Sequence, residues 1–267
     1  MRPKEFDLPK VNYEPLSYAM VLAACGNNEE AAQEIWKRNR PCITMVREVV
    51  GAVVQDKEQS YLLGAPFLPR DFEWPKDPDG LELVFLAHVA LASLPRNDLT
   101  AVLPKDGYLQ FFGSQRVATG EGTEYGVIKY HGPDLEIALS GEGMGLDYPA
   151  CKLHPVEDFS LPALTWFDYS IWGFDVEEGI SDLLYRRDTL VNRLAGEVIV
   201  PMHQMFGHLD DPQGMGDDDE HAFVLQIASD FEIDLSWLDA GTVFFRMDHD
   251  SLKAHRWDAA QMFVSTA

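Results

Sequence analysis

Cysteine is scarce in this chain of 267 residues, and the three present, Cys25, Cys42 and Cys151, are odd in number, far apart and in no CxxC spacing. That pattern excludes a disulfide framework and a zinc knuckle, and the expected setting is a reducing one, the cytoplasm. Positive charge is scarce as well: 21 lysines and arginines stand against 44 acidic residues, a formal charge of −23. A surface of that sign repels phosphate backbones and anionic lipid headgroups, so neither nucleic acid nor a membrane is an expected partner. Long apolar runs are missing: the longest early one is Ala19 to Cys25, and the first residues, Met1 to Asp7, are charged and contain Pro3. Neither a signal peptide nor a spanning helix is expected from these. No Walker loop, Rossmann glycine string or Gly-x-Ser-x-Gly elbow occurs either, so no cofactor is expected and the common nucleotide folds have no carrier.

What is present is ordinary globular material, 46% hydrophobic and 24% charged, in an amount that suits one large domain or two small ones. The acidic excess is uneven: residues 1–50 hold seven charges of each sign, while residues 201–267 hold three basic and thirteen acidic ones. Tyr18, Val21, Leu22 and Cys25 recur at i, i+3, i+4 and i+7, with Gly26 as a left-handed stop, which predicts a short helix. A second is predicted from Asn27 and Glu30 as a capping box, an apolar stripe of Ala31, Ile35 and Trp36, and Pro41 as terminator. Cys42 to Gln55, rich in Ile, Val and Thr, reads as a strand broken at Gly51.

From Ser60 onward turn chemistry alternates with strands. Phe85 to Leu91 and Gly107 to Phe112 are expected antiparallel neighbours, and Gly120 to Lys129 and Leu135 to Leu139 further strands. Residues 158–174 carry an aromatic cluster too dense to be wholly exposed. Ile180, Leu183, Leu184, Arg187, Val191 and Leu194 keep a helical period between Ser181 and Gly196, and Glu177-Glu178 suit a helix start. Glu197 to Met202, Ala222 to Ala228 and Gly241 to Met247 read as strands, with an acidic loop from Asp210 to Glu220. The expected fold class is α+β, with mixed, mainly antiparallel sheets and an N-terminal helical hairpin. Residues 1–56 (hairpin plus strand) are expected to form one unit and residues 57–267 a β-rich one.

Within the second unit two stretches echo one another. Gly64, Phe85-Leu86-Ala87-His88-Val89 and Gly107 to Phe112 are followed later by Gly207, Phe223-Val224-Leu225-Gln226-Ile227 and Gly241 to Phe245. The intervals are 21 and 22 residues in the first and 16 and 18 in the second, natural for a duplicated half-domain, about 60–140 and 197–267. Chance likeness of two β-hairpins is an equal account, since apolar alternation is the only signal.

These same residues resemble the YwqG-like family of bacterial proteins of unknown function. Ser60, Gly64, Pro66, Leu68, Pro69, Trp74 and Pro75 match its opening motif, with Ala65 in place of a second glycine, which suggests a less strained turn. Phe85 to Val89 is similar to its next strand with His88 where Gln is usual, and Gly107 to Phe112 matches fully. His203, Met205, Phe206 and Gly207, then Val224 to Ile227, then Trp237, Asp239, Ala240 and Gly241 complete the order. The resemblance covers about residue 60 to the C-terminus and implies a sheet-rich α+β fold in a bacterial cytoplasm, without an assigned chemistry.

Four side chains are candidate ligand-binding residues: Trp74, His88, His203 and Gln226. Trp74 is a large aromatic in a loop, which either packs beneath it or binds. His88 and Gln226 hold equivalent places in the echo, opposite Phe85, Ala87, Val89 and Phe223, Leu225, Ile227, and either face a groove between the halves or hydrogen-bond inside a core. His203 and His208, near Asp210 and Asp211, have the residue types of a metal site but lack a helix to hold both imidazoles together, so no metal is assigned. Asp217 to Glu220 fails the EF-hand spacing and suits a solvated loop. An aromatic-rich chain without a catalytic set points first to a cytoplasmic protein- or peptide-binding module, an adaptor or immunity factor. The alternative is a small-ligand-binding or hydrolytic enzyme with its pocket between the halves. Oligomeric state is not legible.

Overall fold

The computed structural model describes residues 13–48, 55–114, 124–140, 150–164, 167–188, 190–193, 197–200, 203–209, 219–230, 233, 235–238 and 241–265. In chain order these form α1 (Tyr18–Ala24), α2 (Glu29–Trp36), β1 (Arg40–Arg47), β2 (Tyr61–Leu62), β3 (Phe67–Leu68), β4 (Val84–Ala90), β5 (Tyr108–Gly113), β6 (Gly126–His131), β7 (Ala138–Leu139) and β8 (Cys151–Ser160). Then follow α3 (Phe174–Asp188), β9 (Leu190–Arg193), β10 (Glu197–Val200), β11 (His203–Phe206), β12 (His221–Ala228), β13 (Thr242–Asp248), α4 (His249–Lys253) and β14 (Gln261–Ser265). The α+β class, dominated by antiparallel sheet with helices at the N-terminus, is as expected. No helix among the described residues is long and apolar enough to cross a membrane.

Ten strands make one sheet in the order β14-β13-β12-β11-β1-β8-β2-β4-β5-β6, every pair antiparallel. Read outward from the central pair β1 and β8, the two sides carry the same four-strand meander. One wing is β2-β4-β5-β6 and the other β11-β12-β13-β14. A pseudo-two-fold axis through the Val46–His154 pair exchanges them. The likeness extends to irregularities. The register slips between Phe85 and Ala87 opposite Phe112 and Phe111, and again between Phe223 and Leu225 opposite Arg246 and Phe245. Each inner strand ends in two left-handed residues, Leu63-Gly64 (φ 57 and 71°) and Phe206-Gly207 (φ 61 and 75°). At both glycines a Cβ would collide, with Ala150 in one wing and with Ser160 and Cys42 in the other, so only glycine fits. The positive φ falls on Leu63 and Gly64 and not on Ala65, so the alanine departure costs the turn nothing. The repeat thus begins at His203; Glu197 to Val200 pairs instead with β9 in a separate ribbon.

The wings fold face to face. Leu86, Val89, Leu109, Phe111 and Ile128 of one meet Val224, Ile227, Val243, Phe245 and Met262 of the other in a single buried cluster. Phe111 packs edge-on against Phe245, its own counterpart, with ring centroids 5.2 Å apart. The far edges also approach: a Cβ on Gly126 of β6 would lie 2.7 Å from Met262 Sδ on β14.

Helices α1, α2 and α3 bury a second cluster, including Val21, Ala31, Ile35, Val176 and Ile180. Gly179 lets α3 approach α1, since a Cβ there would stand 1.9 Å from the Ala24 carbonyl oxygen. The α2 cap is Asn28, whose side chain accepts from Ala31 N–H, one residue later than the capping-box reading; Asn27 takes the left-handed stop with Gly26. Helix α3 starts at Phe174, before Ser181, and ends at Asp188; Leu190 and Val191 continue the apolar period but lie in a β-hairpin. Strand β8 was absent from the sequence expectation altogether.

Strand β1 sits in the middle of the sheet, between β8 and β11. The expected boundary near residue 57 therefore separates a central strand from its neighbours. Deleting residues 1–56 is predicted to leave the two wings without their joint, so the truncated chain should lose the cooperative thermal transition of the full protein in circular dichroism. A truncated chain that melts as sharply as the full one would refute this.

Candidate functional site

The structure divides the four sequence-selected residues between three places. The slip after Phe85 turns that side chain to the outer face of its wing together with His88, whereas simple alternation had set them on opposite faces. There His88 stacks on Tyr61 (centroids 4.9 Å apart, planes at 13°) and heads a buried polar chain. Its Nε2–H donates to the Lys57 carbonyl at 2.7 Å, which leaves Nδ1 to accept from the Gln110 amide at 3.4 Å. Gln110 also donates to the Phe67 carbonyl at 2.6 Å and accepts from His131 Nε2–H at 3.0 Å. Every hydrogen of that amide is used, so the chain fixes His88 as the neutral Nε2–H tautomer and His131 as a donor at Nε2. Burial pushes His88 down to about 4, against the pull of the Lys57 carbonyl, and burial with the Lys129 charge pushes His131 to about 4.

Gln226 occupies the equivalent outer position on the second wing, and its amide donates to the His208 carbonyl at 2.9 Å, as does Gln204 at 3.0 Å. His203 points the other way, into the interval between the wings. It is fully buried, 4.0 Å from Asp230, and neither ring nitrogen has a hydrogen-bond partner among the described residues. Burial, then the Arg47 guanidinium, holds it near 3, so it is neutral. Arg47 and Asp230 form a bidentate, buried ion pair, through Nε to Oδ2 and through NH2 to Oδ1 at 3.1 Å. Sequence reasoning missed this pair; its signal was Arg47 following the mostly apolar run Cys42 to Val46. The remaining space between the halves is packed hydrocarbon. Trp74, His88, His203 and Gln226 therefore do not line a common crevice, because two of the four lie on one outer face, one on the other and one in the core. His208 reaches the Arg38 carbonyl at 2.6 Å, away from His203, and Asp210 and Asp211 lie outside the described residues. Among the described residues no cluster of three or more metal-ligating side chains occurs.

Trp74 remains as the residue beside an open cleft. The short ribbon of β3 and β7 crosses the outer face of the first wing, and between it and the 72–74 segment lies a cleft of about 400 Å³. Phe72 and Trp74 line it together with Leu68 of β3, with Ala138, Leu139 and Ser140 at β7, and with Arg70 and Glu82. The aromatic side is rigid. Trp74 Nε1–H donates to the Leu83 carbonyl at 2.8 Å, its ring stands edge-on to Phe112 at 5.4 Å, and Phe72 stacks on Phe112 at 5.9 Å. Leu139 is 49% exposed, an apolar side chain held at the mouth by a ribbon whose Ser140 N–H bonds the Pro66 carbonyl. Sequence reasoning found Trp74 but neither Phe72 nor Leu139, which are brought together only by the pairing of β3 with β7. On the second wing a smaller cleft of about 200 Å³ lies beside Phe206 and Gly207, with Arg40, Asp219, His221 and His249 around it.

An antiparallel α+β fold of two like wings, with a cleft on one outer face, is thus the class of protein in hand. Residues 60–265 match the family described as a domain of unknown function, DUF1963, and the chain belongs to that family. The match begins after β1, although β1 completes the sheet. No curated protein matches the chain.

Two measurements follow from the buried polar groups. His88, His131 and His203 stay neutral when folded but ionise near 6.5 in an unfolded chain, so stability is full above about pH 6.5 and falls as the pH drops toward 4. Urea unfolding between about pH 7 and 5, above the carboxylate range, should show an uptake approaching about three protons, reduced by roughly one in His88→Asn. A flat profile would contradict the assignment. For the ion pair, Asp230→Ala should cost about 3–5 kcal/mol by leaving the guanidinium buried alone, and Arg47→Met with Asp230→Leu should regain most of it. Equal losses in the single and the double variant would remove the coupling.

Proposed function

We propose that the protein is a binding module that receives a peptide segment of a partner protein in the Trp74 cleft, in the manner of an adaptor or immunity factor. The supporting observation is the rigid wall of Phe72 and Trp74 facing the half-exposed Leu139 across about 400 Å³. That volume is at the lower end for ligand sites and suits one or two side chains. An apolar side chain buried there contributes about 1.5–3 kcal/mol, so a single anchor gives a weak, reversible contact unless flanking residues add to it. The lining supports reception more than reaction. Its hydroxyl, Ser140, has no imidazole among the lining residues, and Trp74 has its one donor already engaged. The finer likeness to the YwqG-like family adds no chemistry, so the reading stands on the cleft.

Panning a random peptide display library on the full-length protein tests it. Enriched peptides should share one anchor side chain with apolar surface to bury, and their affinity should fall about tenfold in Leu139→Ser, a change at an exposed position that leaves the core intact. Enrichment of nothing, or of peptides that bind Leu139→Ser equally well, would defeat the reading.

A further inference from the structure

Exposed charge around the Trp74 cleft is strongly one-sided. Residues 69–82 hold five carboxylates and two cations, and the facing segment, residues 132–140, holds two carboxylates and no cation. One of these, Asp77, is buried and spent on its own turn, accepting from the N–H groups of Asp79 and Leu81 at 3.0 and 2.8 Å. The others, among them Asp71, Glu73, Glu82, Asp134 and Glu136, are exposed. Glu82 lines the cleft itself and makes no ion pair among the described residues; Arg70, the one cation lining it, does not reach that carboxylate. Carboxylate and aromatic faces thus meet at one cavity, in a chain whose formal charge is −23.

Resting on the reading of this cleft as a peptide site, we propose that its occupant is a basic peptide, with a lysine or arginine side chain laid along Phe72 and Trp74 and its charged head at Glu82. Three physical arguments lead there. The methylene stem of a long basic side chain covers apolar surface while its head stays in water, which fits a cleft that is aromatic at the wall and acidic at the rim. A cation over an indole or phenyl face is attracted by the ring quadrupole, and the indole N–H, turned to the Leu83 carbonyl, is not the part presented. A field of this sign raises the encounter rate of basic partners and turns acidic ones away. An acidic or neutral peptide would gain only the apolar contact.

The test uses the same display library, sorted by net charge, followed by fluorescence anisotropy with the labelled peptides that emerge. Basic peptides should dominate. Their affinity should fall about tenfold in Glu82→Gln and by a similar factor when salt is raised from about 0.1 to 0.5 M, as expected for partly exposed charges. Both Glu82→Gln and Leu139→Ser alter exposed positions, and an unchanged thermal transition checks that each variant is folded. Peptides that need Leu139 but are neutral or acidic, or that ignore Glu82→Gln, would overturn the basic assignment and leave the peptide site standing. If no peptide is enriched, both fall.

Discussion

The inner faces of the two wings have nowhere to go but onto one another. Each is a four-strand meander whose inward positions are Leu, Val, Ile and Phe, and burying that surface once, between them, removes it from water on both sides. The contact of Phe111 with Phe245, a residue with its structural counterpart, is the signature of an isologous interface drawn within one chain. Because that interior is filled, anything the protein binds has to be met on an outer face. The outer faces differ. The first wing is covered by aromatic rings and a two-strand ribbon that leave a cleft; the second carries Phe223, Phe244 and Phe263, with Arg246 lying 4.3 Å above the last.

Within the shared interior the Arg47–Asp230 pair, with His203 beside it, departs from hydrocarbon. A buried ion pair seldom adds net stability over a hydrophobic replacement, but it does specify which elements meet. Here it ties the central strand to the connection after β12, where Asp230 N–H also donates to the Leu235 carbonyl at 2.7 Å. The duplicate wing has no such pair, so the halves are alike in backbone and unlike in what they fix.

Much of this was legible in the chain. The echo sets Phe85 to Val89 beside Phe223 to Ile227, and the two strands carry the same register slip after the first phenylalanine. Helices α1 and α2 were legible because their apolar stripes have one face to bury. Strand β8 was not. A sequence of Cys-Lys-Leu-His-Pro-Val-Glu-Asp-Phe-Ser looks like a loop, yet its polar residues are matched one by one. His154 meets Glu48 at 3.0 Å, and Asp158 accepts from the Leu16 N–H at 2.6 Å, from Thr44 at 2.8 Å and from Tyr13. Those partners are distant in sequence, so periodicity carries no trace of them. The groove expected between the halves failed because alternation tells which residues share a face and not which face turns inward: Ala87, Val89, Leu225 and Ile227 meet between the wings, and His88 and Gln226 face outward. The cleft that does exist depends on Phe67 pairing with Leu139, a contact of two short strands that no local pattern announces.

The central seat of β1 also governs when the molecule can assemble. Val46 is matched to His154, and Met45 to both Pro155 and His203, so the strand made early waits for partners made more than a hundred residues later. Loop closure on that scale is slow, and during synthesis the apolar strand stands unpaired until the ribosome has passed Ser160 and keeps one open edge until it has passed Phe206. A nascent chain in that state exposes apolar surface and a strand edge, the features that favour aggregation.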